Sequence, residues 1–218
     1  MSKAIISCKV FKPEIDALLK RFNYDYKCIY LEEQLHNTPS DLHDQLQAAI
    51  DSLENIETIY LTYGNCGNSI LGLKATTAAI VFPKTDDCIH TLLYYNKDFP
   101  NMRRDTYFSS KGWLLGKEDL GFEYDRMKEK YGEARALRIV RAMYTNYKYL
   151  CYIETVDEDK EITEKRCAFK AEKFGLAFVK TTGSLKLLED LLRGVIDERF
   201  VKIEKGSSVP LNLRFITF

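Results

Sequence analysis

The chain has 218 residues, 45% of them hydrophobic, which is enough apolar material to bury one good core. Its 32 Lys and Arg residues balance 32 Asp and Glu residues, so no overall field favours binding to nucleic acid or an anionic membrane. No apolar run reaches the roughly 18 to 20 residues that span a bilayer, and Met1 leads into a strand rather than a signal peptide, which predicts a cytoplasmic protein.

The first 95 residues alternate short apolar runs with amphipathic stretches, a rhythm typical of βα units around a parallel sheet. The strands predicted here lie at 3–7, 26–31, 57–62 and 78–82, and the helices at 13–22 and 40–53. We expect this part to form the N-terminal α/β half of the protein.

The stretch 96–147 departs from that rhythm. It contains a turn-rich opening, a short strand at 106–109, and one or two helices over 119–147 around Gly132. We interpret it as a helical insertion or lid.

The alternation resumes at 148–218, the predicted C-terminal half. Its strands are predicted at 149–154, 176–180 and 199–203, and its helices at 160–174 and 184–193. Lys205–Phe218 is predicted to be an extended tail, packed on the body or on a second copy in a homo-oligomer. The sequence thus predicts an α/β, Rossmann-like fold: a parallel sheet with flanking helices, two related βα-rich halves and the insertion between them.

Three of the six cysteines follow predicted strands. Cys8 comes after 3–7, Cys66 after 57–62, and Cys88 shortly after 78–82. In a parallel sheet all three positions lie at the carboxyl edge, where open α/β sheets bind their ligands. The remaining cysteines lie within predicted strands or helices and are assigned to packing: Cys28, Cys151 and Cys167.

The surroundings of Cys66 and Cys88 favour ligand binding. Tyr63, Gly64 and Gly67 form a glycine-flanked turn around Cys66 that brings the backbone close to a bound group. Cys88 begins a predicted helix, whose dipole lowers a thiol pKa. Both places are predicted to favour the thiolate.

Three thiolates from separate loops suit a [4Fe–4S] cluster with one iron open to a small-molecule substrate. A zinc ion with an open position is the alternative, and the paired Cys-x-x-Cys pattern of structural zinc sites is absent from the sequence. Other predicted substrate-binding residues are His36 after the second strand, Lys84, which could hold an anion, and Trp113 as a ligand-facing wall. Whether the protein is an enzyme stays open.

Several motifs resemble the prokaryotic domain-of-unknown-function family number 1638. They are Leu35-His36-Asn37 with Pro39, Tyr63-Gly64-Asn65-Cys66-Gly67, Pro83-Lys84 with Asp86, Cys88 and Ile89, Gly112-Trp113, and Leu191-Leu192-Arg193-Gly194. The family pattern has cysteines at the positions of Cys8, Cys66 and Cys88. It commonly has glycine where Lys9 stands and histidine where Asp87 stands, so this chain offers no histidine ligand there.

The resemblance implies a setting rather than a reaction. Similar proteins are encoded in anaerobes and methanogens near corrinoid-dependent methyltransferase genes, which implies anaerobic one-carbon metabolism. A non-catalytic accessory protein that binds a corrinoid or a methyltransferase is therefore the alternative to a metal-dependent function.

Overall fold

A computed structural model describes residues 2–117, 119–155 and 159–215. Within these residues, the strands form a five-stranded sheet of order β2-β1-β3-β4-β8 and a three-stranded sheet of order β5-β6-β7. The strands are β1 Lys3–Cys8, β2 Lys27–Leu31, β3 Thr58–Leu61, β4 Ala79–Pro83, β5 Thr106–Ser109, β6 Tyr149–Glu154, β7 Ala177–Thr182 and β8 Phe200–Ile203. The helices are α1 Lys12–Phe22, α2 Pro39–Asp51, α3 Cys88–Leu93, α4 Phe99–Met102, α5 Lys111–Leu115, α6 Leu120–Tyr131, α7 Glu133–Met143, α8 Lys160–Phe174 and α9 Lys186–Arg193. The α/β fold class is confirmed.

The chain divides into two compact units, Met1–Tyr94 with Ser184–Phe218, and Tyr95–Gly183. These boundaries differ from the predicted segments 1–95, 96–147 and 148–218. The reason is strand pairing: β6 pairs with β5 and with β7, so the middle segment carries strands of a separate sheet rather than helices alone. The alternation along the chain therefore reflects two sheets of different order.

In the first unit, β1 lies between β2 and β3 and pairs with both in parallel. Its residues Ala4 to Ser7 are fully buried, as expected for a strand covered on both faces. Ala4 and Ile6 pack into an apolar cluster with Leu42 and Leu46 of α2.

The last strand runs against its neighbour. β8 pairs with β4 in antiparallel register, with Val81 opposite Lys202, whereas strand–helix alternation had predicted a parallel strand. A crossover connection joins two parallel strands of the same sheet. It cannot set the direction of β8, because the preceding strand β7 belongs to the other sheet. Beyond β8, Val209 is buried and exchanges backbone hydrogen bonds with Gly72 (3.1 Å) and Leu73 (2.8 Å). The described part of the predicted tail thus packs on its own unit, and residues 216–218 lie outside the described residues.

The second unit buries one face of its sheet under helices. Leu150 and Tyr152 of β6 pack with Tyr124 of α6, Val140 of α7 and Cys167 of α8 in one apolar cluster. Gly132 separates α6 from α7, as the sequence predicted for 119–147. A search of the helices in the described residues found none with the length and apolar character that crossing a membrane demands.

Candidate functional site

Strand order places two of the predicted ligands at a switch point. After β1 the chain crosses to β2 on one side, and after β2 it returns to β3 on the other side of β1. The carboxyl ends of β1 and β3 therefore flank the kind of crevice where doubly wound sheets bind ligands. Cys8 is the last residue of β1, and Tyr63 and Cys66 follow β3.

The turn that carries Cys66 is held against the loop after β4. The backbone N–H groups of Asn65 and Cys66 donate to the carbonyls of Thr85 and Asp86, each at 2.7 Å. A Cβ on Gly64 would lie 2.2 Å from the Thr85 carbonyl oxygen, so only glycine permits this approach. Sequence reasoning had expected Gly64 to allow close approach to a ligand, but the structure shows a close approach to the neighbouring loop.

Cys66 itself has an unusual backbone. Its φ of 43° lies in the left-handed region, and Gly67 and Asn68 follow with φ of 72° and 71°. A left-handed conformation costs a residue with a Cβ about 1–2 kcal/mol. Such strain occurs most often at functional sites, where neighbouring contacts hold it in place. A Cβ on Gly67 would meet the Pro39 ring at 2.9 Å, so the turn also packs on the first turn of α2.

Cys8 ends β1 and precedes a 3-10 turn, Lys9–Phe11. Burial raises the pKa of its thiol to about 11, against the opposing effect of the Val10 and Lys9 amides. The carboxylate of Glu33, a residue with only 2% exposure, raises the pKa of Cys8 further. The residue as a whole keeps some exposure, while its sulfur is largely removed from water.

Tyr63 connects the cysteines. Its side chain is 4% exposed, and its hydroxyl oxygen is buried with no hydrogen bond of good geometry among the described residues. Burial raises its pKa well above the usual value, and the charges of Cys8, Cys66 and Cys88 each add to that shift. The Cys8 thiol is also near enough to act as a weak hydrogen-bonding neighbour. Each of the three cysteines therefore lies near enough to the Tyr63 hydroxyl to act on it electrostatically.

Cys88 is the first residue of α3, and a polar network fixes the loop before it. Asp87 caps the helix by accepting a hydrogen bond from the His90 backbone N–H at 2.8 Å. The imidazole of His90 is fully buried, and its Nδ1 accepts the Asp86 N–H at 3.1 Å. His90 thus supports the backbone of the loop that precedes Cys88, and its Nδ1 is engaged there.

The predicted preference of Cys66 for the thiolate is wrong for the protein without a bound metal. Burial raises the pKa of the Cys66 thiol, the charges of Asp87, Cys8 and Asp86 act in the same direction, and the Gly64 amide opposes them. For Cys88, α3 is only six residues long, so its dipole is smaller than that of a full helix. Sequence reasoning missed the acidic groups here, because nothing in the sequence marked Glu33 as buried or indicated that Asp86 and Asp87 act on the Cys66 thiol.

A single zinc ion and an iron–sulfur cluster require different spacings of their ligand side chains. Among the described residues, no three His, Cys, Asp or Glu side chains are gathered closely enough to bind one metal ion. A single zinc needs all its ligands at about 2.0–2.3 Å from one point. A cluster places each thiolate on a different iron, so its ligands stand farther apart.

The other predicted ligand contacts are dispersed. His36 is exposed in a 3-10 turn, Glu33–Asn37, and its Nδ1 hydrogen-bonds to the Glu33 carbonyl. The backbone N–H of Lys84 donates to the Arg199 carbonyl at 2.8 Å, next to the pairing of β4 with β8. Trp113 lies on α5 in the second unit, whereas the cysteine-bearing loops belong to the first. Their substrate roles stay predictions.

The second unit has a concave surface of its own. A groove of about 440 Å³ is lined by residues such as Asn96, Asp105 and Thr181. Some of its polar side chains pair within the unit: Asn96 Nδ2 donates to Thr181 Oγ1 at 3.1 Å, and Asp105 pairs with Lys148 at 3.0 Å.

Together, the fold and the site define an α/β protein with a doubly wound first sheet and cysteine-bearing loops at its switch point. Over residues 30–192 the chain matches the family model described as protein of unknown function, DUF1638, and it belongs to that family. The matched range includes Cys66 and Cys88 and begins after Cys8. Searches of curated proteins and of solved structures found no match.

Proposed function

We propose that the protein binds an iron–sulfur cluster at the carboxyl edge of its first sheet, with Cys8, Cys66 and Cys88 as ligands. One iron of a [4Fe–4S] cluster would then have no cysteine ligand and would be open to a small molecule. The observation that carries the proposal is the buried Tyr63 hydroxyl, on which all three cysteines act electrostatically.

The chemistry of the donors supports this choice. Thiolates are the usual ligands of iron–sulfur clusters, and soft sulfur ligands exclude calcium and magnesium. The left-handed backbone of Cys66 and the close contact of Gly64 with Thr85 fix one thiol relative to the loop of another. Leaving a buried hydroxyl unpaired costs about 1–3 kcal/mol, so an acceptor near Tyr63, from the bound group or its substrate, stabilises the site.

When bound, such a cluster supplies a Lewis-acidic iron toward a small molecule. The protein's own contribution is positional. Tyr63 can donate one hydrogen bond toward the open position, because its hydroxyl has no well-formed hydrogen bond among the described residues. Thr62 and Ser7 beneath it are joined by a 2.8 Å hydrogen bond between their side-chain oxygens, which ties the end of β3 to the end of β1.

Elemental analysis of anaerobically purified protein tests the proposal. We expect iron and acid-labile sulfide in near-equal amounts, with brown colour, in the wild-type protein. Cys66→Ala should lose both, while Cys28→Ala, a matched variant of a cysteine on β2 of the same unit, should keep them. Far-UV circular dichroism of each variant checks that the fold survives.

The possible outcomes separate the alternatives. Zinc in place of iron, lost in Cys66→Ala, would favour the zinc alternative with the same ligands. Wild-type protein that holds neither metal, even after anaerobic incubation with ferrous iron and sulfide, rejects the proposal. Iron that survives the joint loss of Cys8, Cys66 and Cys88 would also reject it.

A further inference from the structure

Helix α8 of the second unit has large apolar side chains on two opposite faces. Its inner face packs into the apolar cluster of this unit through Cys167, Ala171 and Phe174. Its outer face carries Ile162 and Phe169, which are 60% and 64% exposed. A surface helix usually has one apolar stripe toward the core and polar residues opposite, so the packing of a single copy does not account for this second stripe.

Ile162 and Phe169 lie on the same side of the helix. They are seven residues apart, close to two turns, which places them about 10 Å apart along one stripe. Lys165 and Arg166 are exposed between them, and Glu172 is exposed about one turn beyond Phe169. Large apolar residues at this spacing are typical of a helix that packs against another helix. We call these five residues the outer stripe of α8.

The charged side chains of the outer stripe are unpaired within the part of the chain that the structure describes. Lys165, Arg166 and Glu172 form neither an ion pair nor a side-chain hydrogen bond there. Lys170, on the flank of the same helix, pairs with Asp119 at 2.5 Å. The outer stripe therefore offers a partner two cations and one carboxylate besides its two apolar side chains.

We propose that the outer stripe is a dimerisation surface on which α8 of a second copy packs in antiparallel orientation, with Phe169 of both copies on the two-fold axis. In such a symmetric pair, each contact occurs twice, once on either side of the axis. Arg166, three residues before Phe169, then faces Glu172 of the second copy, three residues after it. Ile162 lies farther from the axis, against the C-terminal turn of the opposite helix.

A second copy fits this surface better than other occupants, because the outer stripe supplies both halves of the contact. An anionic membrane would attract Lys165 and Arg166 but would repel the exposed carboxylates of Glu172 and Glu161. The sequence had placed a second copy at the tail 205–218 instead, whereas the described part of that tail packs on its own unit. The dimer needs no metal, so its test does not depend on the proposed cluster.

Sedimentation equilibrium of the full-length protein, over a series of concentrations, tests the proposal. We expect a reversible monomer–dimer equilibrium in the wild-type protein. Phe169→Glu should weaken dimerisation by at least about tenfold, because it removes an aromatic anchor from the centre of the interface. Leu211→Glu is the matched control, since Leu211 is 77% exposed in the first unit and lies outside the outer stripe. Far-UV circular dichroism checks that each variant keeps its fold.

Charge reversal tests the antiparallel arrangement. Glu172→Lys should weaken dimerisation about fivefold, because an attractive contact becomes repulsive on both sides of the axis. Arg166→Glu combined with Glu172→Lys should restore most of the affinity. Glu172 lies in the last turn of α8, where the helix dipole favours a cation, so Glu172→Lys should not weaken the helix itself.

Four results would overturn the inference. They are wild-type protein that stays monomeric throughout the series, a dimer that Phe169→Glu leaves unchanged, and a double variant that dimerises no better than Glu172→Lys. The fourth is a monomer that binds vesicles of phosphatidylserine and phosphatidylcholine and loses that binding in Phe169→Glu, which would assign the outer stripe to a membrane surface.

Discussion

The two units use cysteine in different ways. In the second unit, Cys151 lies within β6 and Cys167 within α8, and both are fully buried. In the first unit, Cys66 lies on a turn with left-handed backbone, and Cys8 and Cys88 lie at the ends of elements. Cys151 and Cys167 contribute to packing inside regular elements, whereas Cys8 and Cys66 lie at or beyond strand ends and only border the apolar cluster of their unit.

The tyrosines of the two units differ in the same sense. Tyr124 in the second unit is buried, and its hydroxyl donates to Glu133 at 3.0 Å. Tyr63 in the first unit is equally buried but has no comparable hydrogen bond among the described residues. The second unit thus satisfies its polar groups internally at this position, while the first leaves a donor for a bound group. Substitutions made in matched pairs can sharpen or break this contrast.

The largest expected effect comes from Gly64→Ala. The added Cβ would lie 2.2 Å from the Thr85 carbonyl oxygen and 2.7 Å from Thr85 Oγ1, so the two loops must separate. We expect a loss of about 3 kcal/mol in the unfolding free energy of the first unit, together with loss of iron. Hydrogen exchange of peptides around residues 60–66, measured by mass spectrometry, reports this change.

Gly175→Ala in the second unit is the matched control. Gly175 is required for its positive φ and not for a close contact with a neighbouring loop. Its φ of 79° and ψ of 28° end α8, and an added Cβ would meet nothing closer than Arg141 Nε at 3.9 Å. We expect a loss of about 1 kcal/mol and unchanged iron content. Equal losses in the two variants would contradict the idea that the loops of the cysteine edge are held by close approach.

Changing a tyrosine to phenylalanine should alter the stability of each unit by a smaller amount. The sign of the change should be opposite in the two units. In the metal-free protein, Tyr63→Phe removes a buried hydroxyl that lacks a well-formed hydrogen bond, and it should stabilise the first unit by about 1 kcal/mol. Tyr124→Phe removes the hydrogen bond to Glu133 and should destabilise the second unit. Urea unfolding, followed by local hydrogen exchange in each unit, measures both changes.

After reconstitution with iron and sulfide, the sign of the Tyr63→Phe effect should reverse. The phenylalanine variant should then be less stable than the wild-type protein, because the hydroxyl has gained an acceptor. Stabilisation that persists unchanged in the reconstituted protein would show that Tyr63 is a packing residue like its neighbours in the apolar cluster.

Much of the fold followed from local patterns. β1, β2, β3 and β4 lie within a residue or two of their predicted positions, because apolar runs bounded by turns and polar residues record burial directly. The assignment of β5 to a sheet with β6 and β7 did not follow, because pairing depends on contacts distant in sequence and β5 is only four residues long. The antiparallel direction of β8 could not be predicted either, because it depends on the pairing of β8 with β4, which is distant in sequence.

The candidate site likewise has features that could be predicted from the sequence and features that could not. The positions of Cys8, Cys66 and Cys88 at or shortly after the ends of β1, β3 and β4 could be predicted, because apolar runs mark where each strand ends. The burial of Glu33 could not, since a short polar segment carries no periodic signal of the face that it presents. The direction of the Cys66 pKa shift was also beyond the sequence, because it depends on how deeply the fold buries the sulfur.

The last expected effect is a pH dependence in the stability of the second unit. Burial raises the pKa of Cys151 to about 12 and that of Cys167 to about 11, while a thiol in the unfolded chain titrates near about 8.5. A folded-state pKa above the unfolded value favours the protonated form in the folded protein. The resulting stability is therefore fully present below about pH 8.5 and is lost as the pH rises toward 11 to 12.

Cys151→Ala removes this contribution, so its stability deficit relative to the wild-type protein should shrink between about pH 8 and pH 10.5. Leu150→Ala, at the neighbouring buried position of β6, should show a deficit that does not vary with pH. The single tryptophan of the chain, Trp113, lies in the second unit, so its fluorescence during urea unfolding reports this unit alone. Parallel pH profiles for the two variants would mean that Cys151 is not desolvated as the structure indicates, and the contrast between the cysteines of the two units would then lose its basis in packing.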